Sequence, residues 1–191
     1  MKIMLIVLIA ISSISMVIYG WFFQIKWWKL VFGIPAFLAA LGLETLITTP
    51  EDFLFVVLLF APIIEESVKL LSTIYGKDVK TGVAVGLMFA MIENAMYFNS
   101  FGFIFITLFL VREFTDPILH ATTTSISVKT WKKSYLALPI AIGMHMGWNL
   151  FGYLTVTDPY LIYIPAIIYV TILYFNVFKK ERKINVVPEG T

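Results

Sequence analysis

The sequence predicts an all-α, polytopic transmembrane helical bundle of about seven spans, and three observations predict it. The first is composition. The 191 residues are 60% hydrophobic and 14% charged, with a mean hydropathy of +0.90, well outside the balance of a soluble domain. The second is the recurrence of apolar stretches close to the roughly 20 residues that a bilayer-crossing helix needs. The third is a regular alternation of basic and basic-free connections between those stretches. Cysteine is absent, which excludes disulfides, thiolate metal sites and a cysteine nucleophile. The formal net charge of +2 calls for no nucleic-acid partner.

Span one covers about Ile3–Phe23. Its start, a lysine followed by an apolar core, is signal-peptide-like. Cleavage there would leave Lys26 and Lys29 on the outer side, so it reads as a retained span. Span two, Leu30–Ile47, and span seven, Tyr160–Phe178, read as essentially apolar and form a lipid-facing shell with span one. Spans three to six carry the polar residues: Phe53–Tyr75 with "EESVK", Gly82–Phe98 with "FAMIEN", Gly102–Val128 with "VREFTDPILH", and Ser134–Leu154 with "HMGWN". Residues 1–178 therefore form one transmembrane domain with a functional core at 53–154, and 179–191 form a short basic tail.

The connections fix the expected orientation. Those after spans one, three and five carry Lys26 and Lys29, then Lys77 and Lys80, then Lys129, Lys132 and Lys133; the tail adds Lys179, Lys180, Arg182 and Lys183. Those after spans two, four and six have no Lys or Arg and hold Glu51, Asp52 and Asp158. Basic loops stay on the cytoplasmic side. The expected N-terminus is outside and the expected C-terminus cytoplasmic, in a cell membrane.

An ionisable group inside a span costs roughly 2.5–3.5 kcal/mol on insertion scales, so each one asks for a use. Counted from the cytoplasmic ends at about 1.5 Å per residue, Glu65, Glu66, Glu93, His120 and His145 all fall roughly 12–20 Å deep. One shared site explains that agreement. Helical spacing then assigns contacts. Glu65 and Lys69 are four apart and pair, leaving Glu66 free as the water-activating base. Phe89 lies one turn from Glu93 and offers it an aromatic wall. Arg112, Asp116 and His120 form a stripe. His145 and Asn149 share a face, so the amide could orient the imidazole or bind a substrate carbonyl. Pro62 and Pro117 each free backbone groups near the cluster. Taken singly, Glu65–Lys69 and Arg112–Asp116 also read as structural ion pairs, and Glu93–Asn94 as helix-packing contacts.

Glutamates and histidines in a desolvated layer can activate water directly, and the same types can hold a divalent metal such as zinc. The zincin signature HExxH is absent, as are a Gly-x-Ser nucleophile motif and a Gly-x-Gly-Asp pair. In order along four successive spans, "EESVK" matches EExxK, "FAMIEN" matches FxxxEN, His120 follows a stretch bearing Arg and Pro, and "HMGWN" matches HxxxN. This ordered set, from Pro62 to Asn149, resembles the PrsW family of intramembrane proteases, relatives of the CAAX prenyl proteases and bacteriocin-processing enzymes of the CPBP (Abi) group. Glutamate rather than histidine at position 93 favours PrsW over CAAX-type enzymes.

The resemblance implies a membrane-embedded endopeptidase with Glu65, Glu66, Glu93, His120, His145 and Asn149 in the catalytic site, and Lys69, Phe89, Asn94 and Arg112 around it. It implies either a metal-free glutamic mechanism or a metal held by Glu93, His120 and His145. The implied partner is a single-span membrane protein, for example an anti-sigma factor. Two other functions fit the same residues: an inactive scaffold like the scaffold subunit of gamma-secretase, and a proton or ion transporter.

Overall fold

A computed structural model of the chain describes residues 2–48, 53–74, 78–101, 106–131, 134–155 and 157–178. Every regular element among them is helical. Seven helices follow one another: α1 (Lys2–Phe22), α2 (Gly33–Ile47), α3 (Ala61–Thr73), α4 (Val79–Phe101), α5 (Ile106–Trp131), α6 (Ala137–Leu154) and α7 (Tyr163–Phe178). A 3₁₀ segment, Trp27–Phe32, leads into α2, and another, Pro159–Ile162, leads into α7. A short helical piece, Phe53–Phe55, and a π-helical turn, Val56–Phe60, lead into α3.

Each expected span has a helix, and the boundaries move by a few residues. The helix expected over Gly82–Phe98 extends to Val79–Phe101, so Lys80 lies inside α4 rather than in a connection. Lys129 likewise lies in the last turn of α5 and donates to the Asn176 carbonyl of α7. Lys77, Lys132, Lys133, Glu51, Asp52 and the basic tail fall outside the described residues.

Proline marks the helix starts. Pro35, Pro139 and Pro165 each sit in the first turn of their helix, where a missing N–H costs little, and Pro62 follows directly on the π-helical turn. Pro117 is the exception, inside α5.

Among the described residues, three stretches are long and apolar enough to cross a membrane: Trp27–Ile47, Val79–Tyr97 and Tyr160–Phe178. Helices α3 and α5 are the least apolar, because they carry most of the ionisable residues of the polar cluster. The shell character expected of α1, α2 and α7 is visible in exposed side chains such as Ile18, Trp21, Leu38, Leu46, Ile167 and Phe175. Glu44 breaks that expectation, since α2 carries a carboxylate with one buried oxygen, Oε1. The α1–α2 and α3–α4 connections meet, as the charge alternation requires of two connections on one side: Lys29 Nζ lies 2.6 Å from Asp78 Oδ2.

The bundle is centred on α4 and α5, which make the most extensive helix–helix contact. Residues 81–87 of α4 are all buried. Gly82 and Gly86 are the reason the two backbones come so close. A Cβ on Gly82 would sit 3.0 Å from the Thr124 carbonyl, and one on Gly86 would collide with the His120 carbonyl. Small residues four apart let two helices touch where dispersion, rather than hydrophobic burial, drives association in lipid. Around this seam, α2 packs Phe37 against Phe89 of α4, with ring centroids 5.2 Å apart, and α6 and the 3₁₀ segment before α7 pack Trp148 and Ile162 against Leu119 of α5.

Candidate active site

Glu65 and Glu66 leave α3 on its buried side, three and four residues after Pro62. The close α4–α5 seam brings His120 to the same level, because the Gly86 contact is with the His120 backbone itself. Helix α6 supplies His145 from the opposite side, its ring edge-on to His120 with centroids 5.1 Å apart. The depth argument from sequence thus corresponds to real contacts among α3, α4, α5 and α6.

The most heavily bonded atom is Glu66 Oε1. It accepts from Lys69 Nζ at 2.6 Å, lies 2.9 Å from His145 Nδ1, and accepts from Thr123 Oγ1 at 3.0 Å. Glu66 and Lys69 are fully buried. This reverses the expected division of labour. Lys69 Nζ is 3.6 Å from Glu65 Oε2, so the lysine holds Glu66 and leaves Glu65 the freer carboxylate. Spacing alone could not decide, because positions three and four away both face a helical residue.

Glu65 Oε2 has no hydrogen-bond partner among the described residues. It lies 3.6 Å from Lys69 Nζ, 3.8 Å from His120 Nδ1 and 3.9 Å from His145 Nδ1. Separations of that length, between groups that all want a partner, are the spacing a bridging water fills.

The histidines are oriented by carboxylates. His120 Nε2 lies 2.8 Å from Glu93 Oε2, and His120 Nδ1 lies 2.8 Å from Lys69 Nζ. An ammonium can only donate, so the partners assign the proton to Nε2 and the lone pair to Nδ1. For His145, the Glu66 contact assigns the proton to Nδ1 and leaves Nε2 as the acceptor. Phe89 forms the expected aromatic wall, although against Lys69 and His120: its ring centroid is 4.6 Å from Lys69 Nζ and 5.2 Å from the His120 ring.

A second layer runs outward from Glu93. Arg112 Nη2 contacts Glu93 Oε1 at 3.3 Å and Asp116 Oδ2 at 2.5 Å, and its guanidinium lies 4.2 Å from the Tyr97 ring centroid. Asn94 Nδ2 donates to the Arg112 carbonyl at 3.4 Å, and Trp148 Nε1 donates to Asp116 Oδ1 at 3.2 Å. Glu113, on the other face of α5, accepts from Ser15 of α1 at 2.5 Å. Exposure rises along this layer: side chains are 0% exposed at Glu66, 17% at Glu93 and 29% at Arg112. The cluster therefore opens on the Arg112 side.

Asn149 is placed differently from expectation. Its Nδ2 donates to the Val57 carbonyl at 3.0 Å, while the His145 Nδ1 it was expected to orient contacts Glu66. Two further residues join the site without belonging to any motif. Thr123, three positions after His120, is one; Glu44 is the other. Glu44 lies seven residues after Phe37, on the α2 face that packs against Phe89 and Val68, within electrostatic reach of Glu93 and Lys69. A lone charge in "LGLETLI" was a visible signal.

Glu65, His120 and His145 form a buried group, with ligand atoms within 4.8 Å of one another, that could hold a metal ion. This replaces the expected Glu93, His120 and His145 set, since Glu93 orients His120 from behind. Two imidazoles and a carboxylate suit zinc. Lys69, however, engages the His120 Nδ1 lone pair, so a metal at that atom requires the ammonium to move. No protein-family model, curated protein or solved structure matches the chain.

Proposed function

We propose that this protein is an intramembrane endopeptidase that hydrolyses a peptide bond of a single-span membrane protein, with Glu65 as the base. The observation that carries the proposal is Glu65 Oε2, buried and unpartnered, facing two oriented imidazoles and an ammonium at 3.6–3.9 Å. A carboxylate so placed takes a proton from a bridging water as the water oxygen bonds to the substrate carbonyl carbon. Collapse of the tetrahedral species breaks the C–N bond, and the proton ends on the leaving amine. We assign the relay to His145, the imidazole whose Nδ1 lies 3.9 Å from Glu65 Oε2. Lys69 supplies fixed positive charge beside the oxygen on which negative charge develops.

The reading is metal-free because Lys69 already provides the cation that a metal would. A divalent ion, where bound, would be held by Glu65, His120 and His145 and would polarise water or carbonyl as a Lewis acid. The ordered motifs resembling the PrsW family support the substrate class, with an anti-sigma factor as the particular candidate; the apolar stretches and the alternation of basic connections support seven spans in a cell membrane with the N-terminus outside and the C-terminus cytoplasmic.

A transporter reading draws on the chain of ionisable groups from Lys69 through His120 and Glu93 to Arg112 and Asp116. Arg112 interrupts that chain, because a guanidinium does not give up its proton in proteins. The deciding experiment reconstitutes wild type and Glu65→Gln in liposomes with a panel of single-span proteins and reads new termini by mass spectrometry, with and without chelator. New termini from wild type alone, unaffected by chelator, are expected, with a loss of about 10²–10⁴-fold in the variant. Equal cleavage by both would remove Glu65 from its role. Proton flux without cleavage would favour the transporter.

A further inference from the structure

We infer that Asn149 is a positioning residue that locks the backbone leading into Glu65 and Glu66. The inference starts from the π-helical turn at Val56–Phe60. The N–H of Ala61 reaches back five residues to the Val56 carbonyl. In an α-helix that N–H would have gone to Val57. The next position along is Pro62, which has no N–H to give. The Val57 carbonyl therefore has no main-chain donor at either the fourth or the fifth position after it. Asn149 Nδ2 supplies the missing donor at 3.0 Å.

Three features of the sequence thus answer one another: an offset helical turn, a proline that cannot complete it, and an amide from another helix that can. A buried carbonyl left without a donor is costly, so the pairing is specific. Its consequence is geometric. Asn149 is one turn from His145 on α6, and Val57 lies two turns before Glu65 and Glu66. The bond fixes the register of the helix carrying the carboxylates against the helix carrying the imidazole, and so the 2.9 Å His145–Glu66 contact. That bond uses one of the two Nδ2 hydrogens and fixes how the amide is turned.

This role rests on the endopeptidase reading, and the test separates the two. Wild type, Asn149→Ala, Asn149→Asp and Asn149→Ala/Pro62→Ala are compared as full chains in liposomes by hydrogen exchange of a peptide spanning 56–61, and by cleavage kinetics. Loss of one buried hydrogen bond should speed exchange there roughly tenfold in both single variants, since aspartate keeps the size and loses the donor. The same variants should lose about tenfold in kcat with little change in KM. Alanine at 62 restores an N–H five residues after Val57, so the double variant should return to within about twofold of wild type in both readouts. An oxyanion donor could not be rescued from position 62. Unchanged exchange in Asn149→Asp, or failure of a folded double variant to recover, overturns the inference. Exchange does not require activity, so an absence of cleavage in wild type would count against the endopeptidase reading alone.

Discussion

The two halves of α5 hold their neighbours by opposite means. The first half carries Arg112, Glu113 and Asp116, and holds charged groups to other helices: Arg112 pairs with Glu93, Glu113 accepts from Ser15, and Asp116 accepts from Trp148. The second half carries Thr122, Thr123, Thr124, Ser125 and Ser127, all buried. Several of their hydroxyls are satisfied by their own helix, as Thr122 by the Ile118 carbonyl and Ser125 by the Thr122 carbonyl. Such self-satisfied small side chains allow Gly82 and Gly86 of α4 to come against the α5 backbone. One half is held by close backbone packing and is sealed. The other is held by an ion pair and by hydrogen bonds to carboxylates, and is partly exposed at Arg112. His120 sits at the junction, its carbonyl against Gly86 and its imidazole against Glu93. The site lies where a rigid seam gives way to a polar opening, so one side is fixed and the other can admit a chain.

The comparison can be broken first at its centre. Lys69→Met removes the ammonium that contacts Glu66 at 2.6 Å. Breaking a buried pair by one partner costs about 3–5 kcal/mol, and that loss is expected in unfolding measured in detergent micelles. The further change Glu66→Gln should recover most of it, since the stranded charge is then gone. Breaking the seam comes next. Gly86→Ala forces a Cβ onto the His120 carbonyl and should cost about 1–3 kcal/mol. Gly82→Ala, meeting Thr124 at 3.0 Å, should cost less. Equal effects at the two glycines would mean the seam is looser at His120 than described.

The smallest effect lies outside the spans. Asp78 Oδ1 accepts from the Thr81 backbone N–H at the start of α4, and its Oδ2 accepts from Lys29 and from Thr81 Oγ1. Burial pushes its carboxyl up, but the bonds from Lys29 and Thr81 outweigh burial and hold it below the usual range. A depressed folded value means that the stabilisation is complete above the unfolded value of about 3.9 and is lost as the pH falls through the folded one. Asp78→Asn should cost about 1 kcal/mol at neutral pH, with the gap from wild type closing in acid. A gap independent of pH would show that the aspartate acts without its charge.

Much of this arrangement was legible in the sequence. The apolar stretches marked seven helices, and depth counting marked one layer. Glu93, His120, His145, Lys69, Phe89, Asn94 and Arg112 all took their places in or beside it. What was not legible follows from physics that pattern cannot resolve. Lys69 can reach either glutamate of "EESVK", and only the docking of Thr123 and His145 on Glu66 decides which one is held. Glu44 was visible as a lone charge in α2, but not the helices it would meet, and the role of Asn149 was hidden by a helical turn whose offset has no composition. The spacing of "GVAVG" was in plain view as a close-packing signal, and it is the feature that places His120.

That seam also bears on how the protein is made. Helices α4 and α5 are adjacent in sequence and pack most extensively of any pair, so their contacts form early, over short chain separations. The hairpin they make carries Glu93 and His120. His145 and Asn149 arrive only with α6, late in synthesis. A chain still leaving the ribosome already holds Glu65, Glu66, Lys69, Glu93 and His120, and lacks the imidazole that docks on Glu66 and the amide that clamps the turn before α3. The chemistry proposed for this protein is thereby withheld from the membrane until its sixth helix is in place.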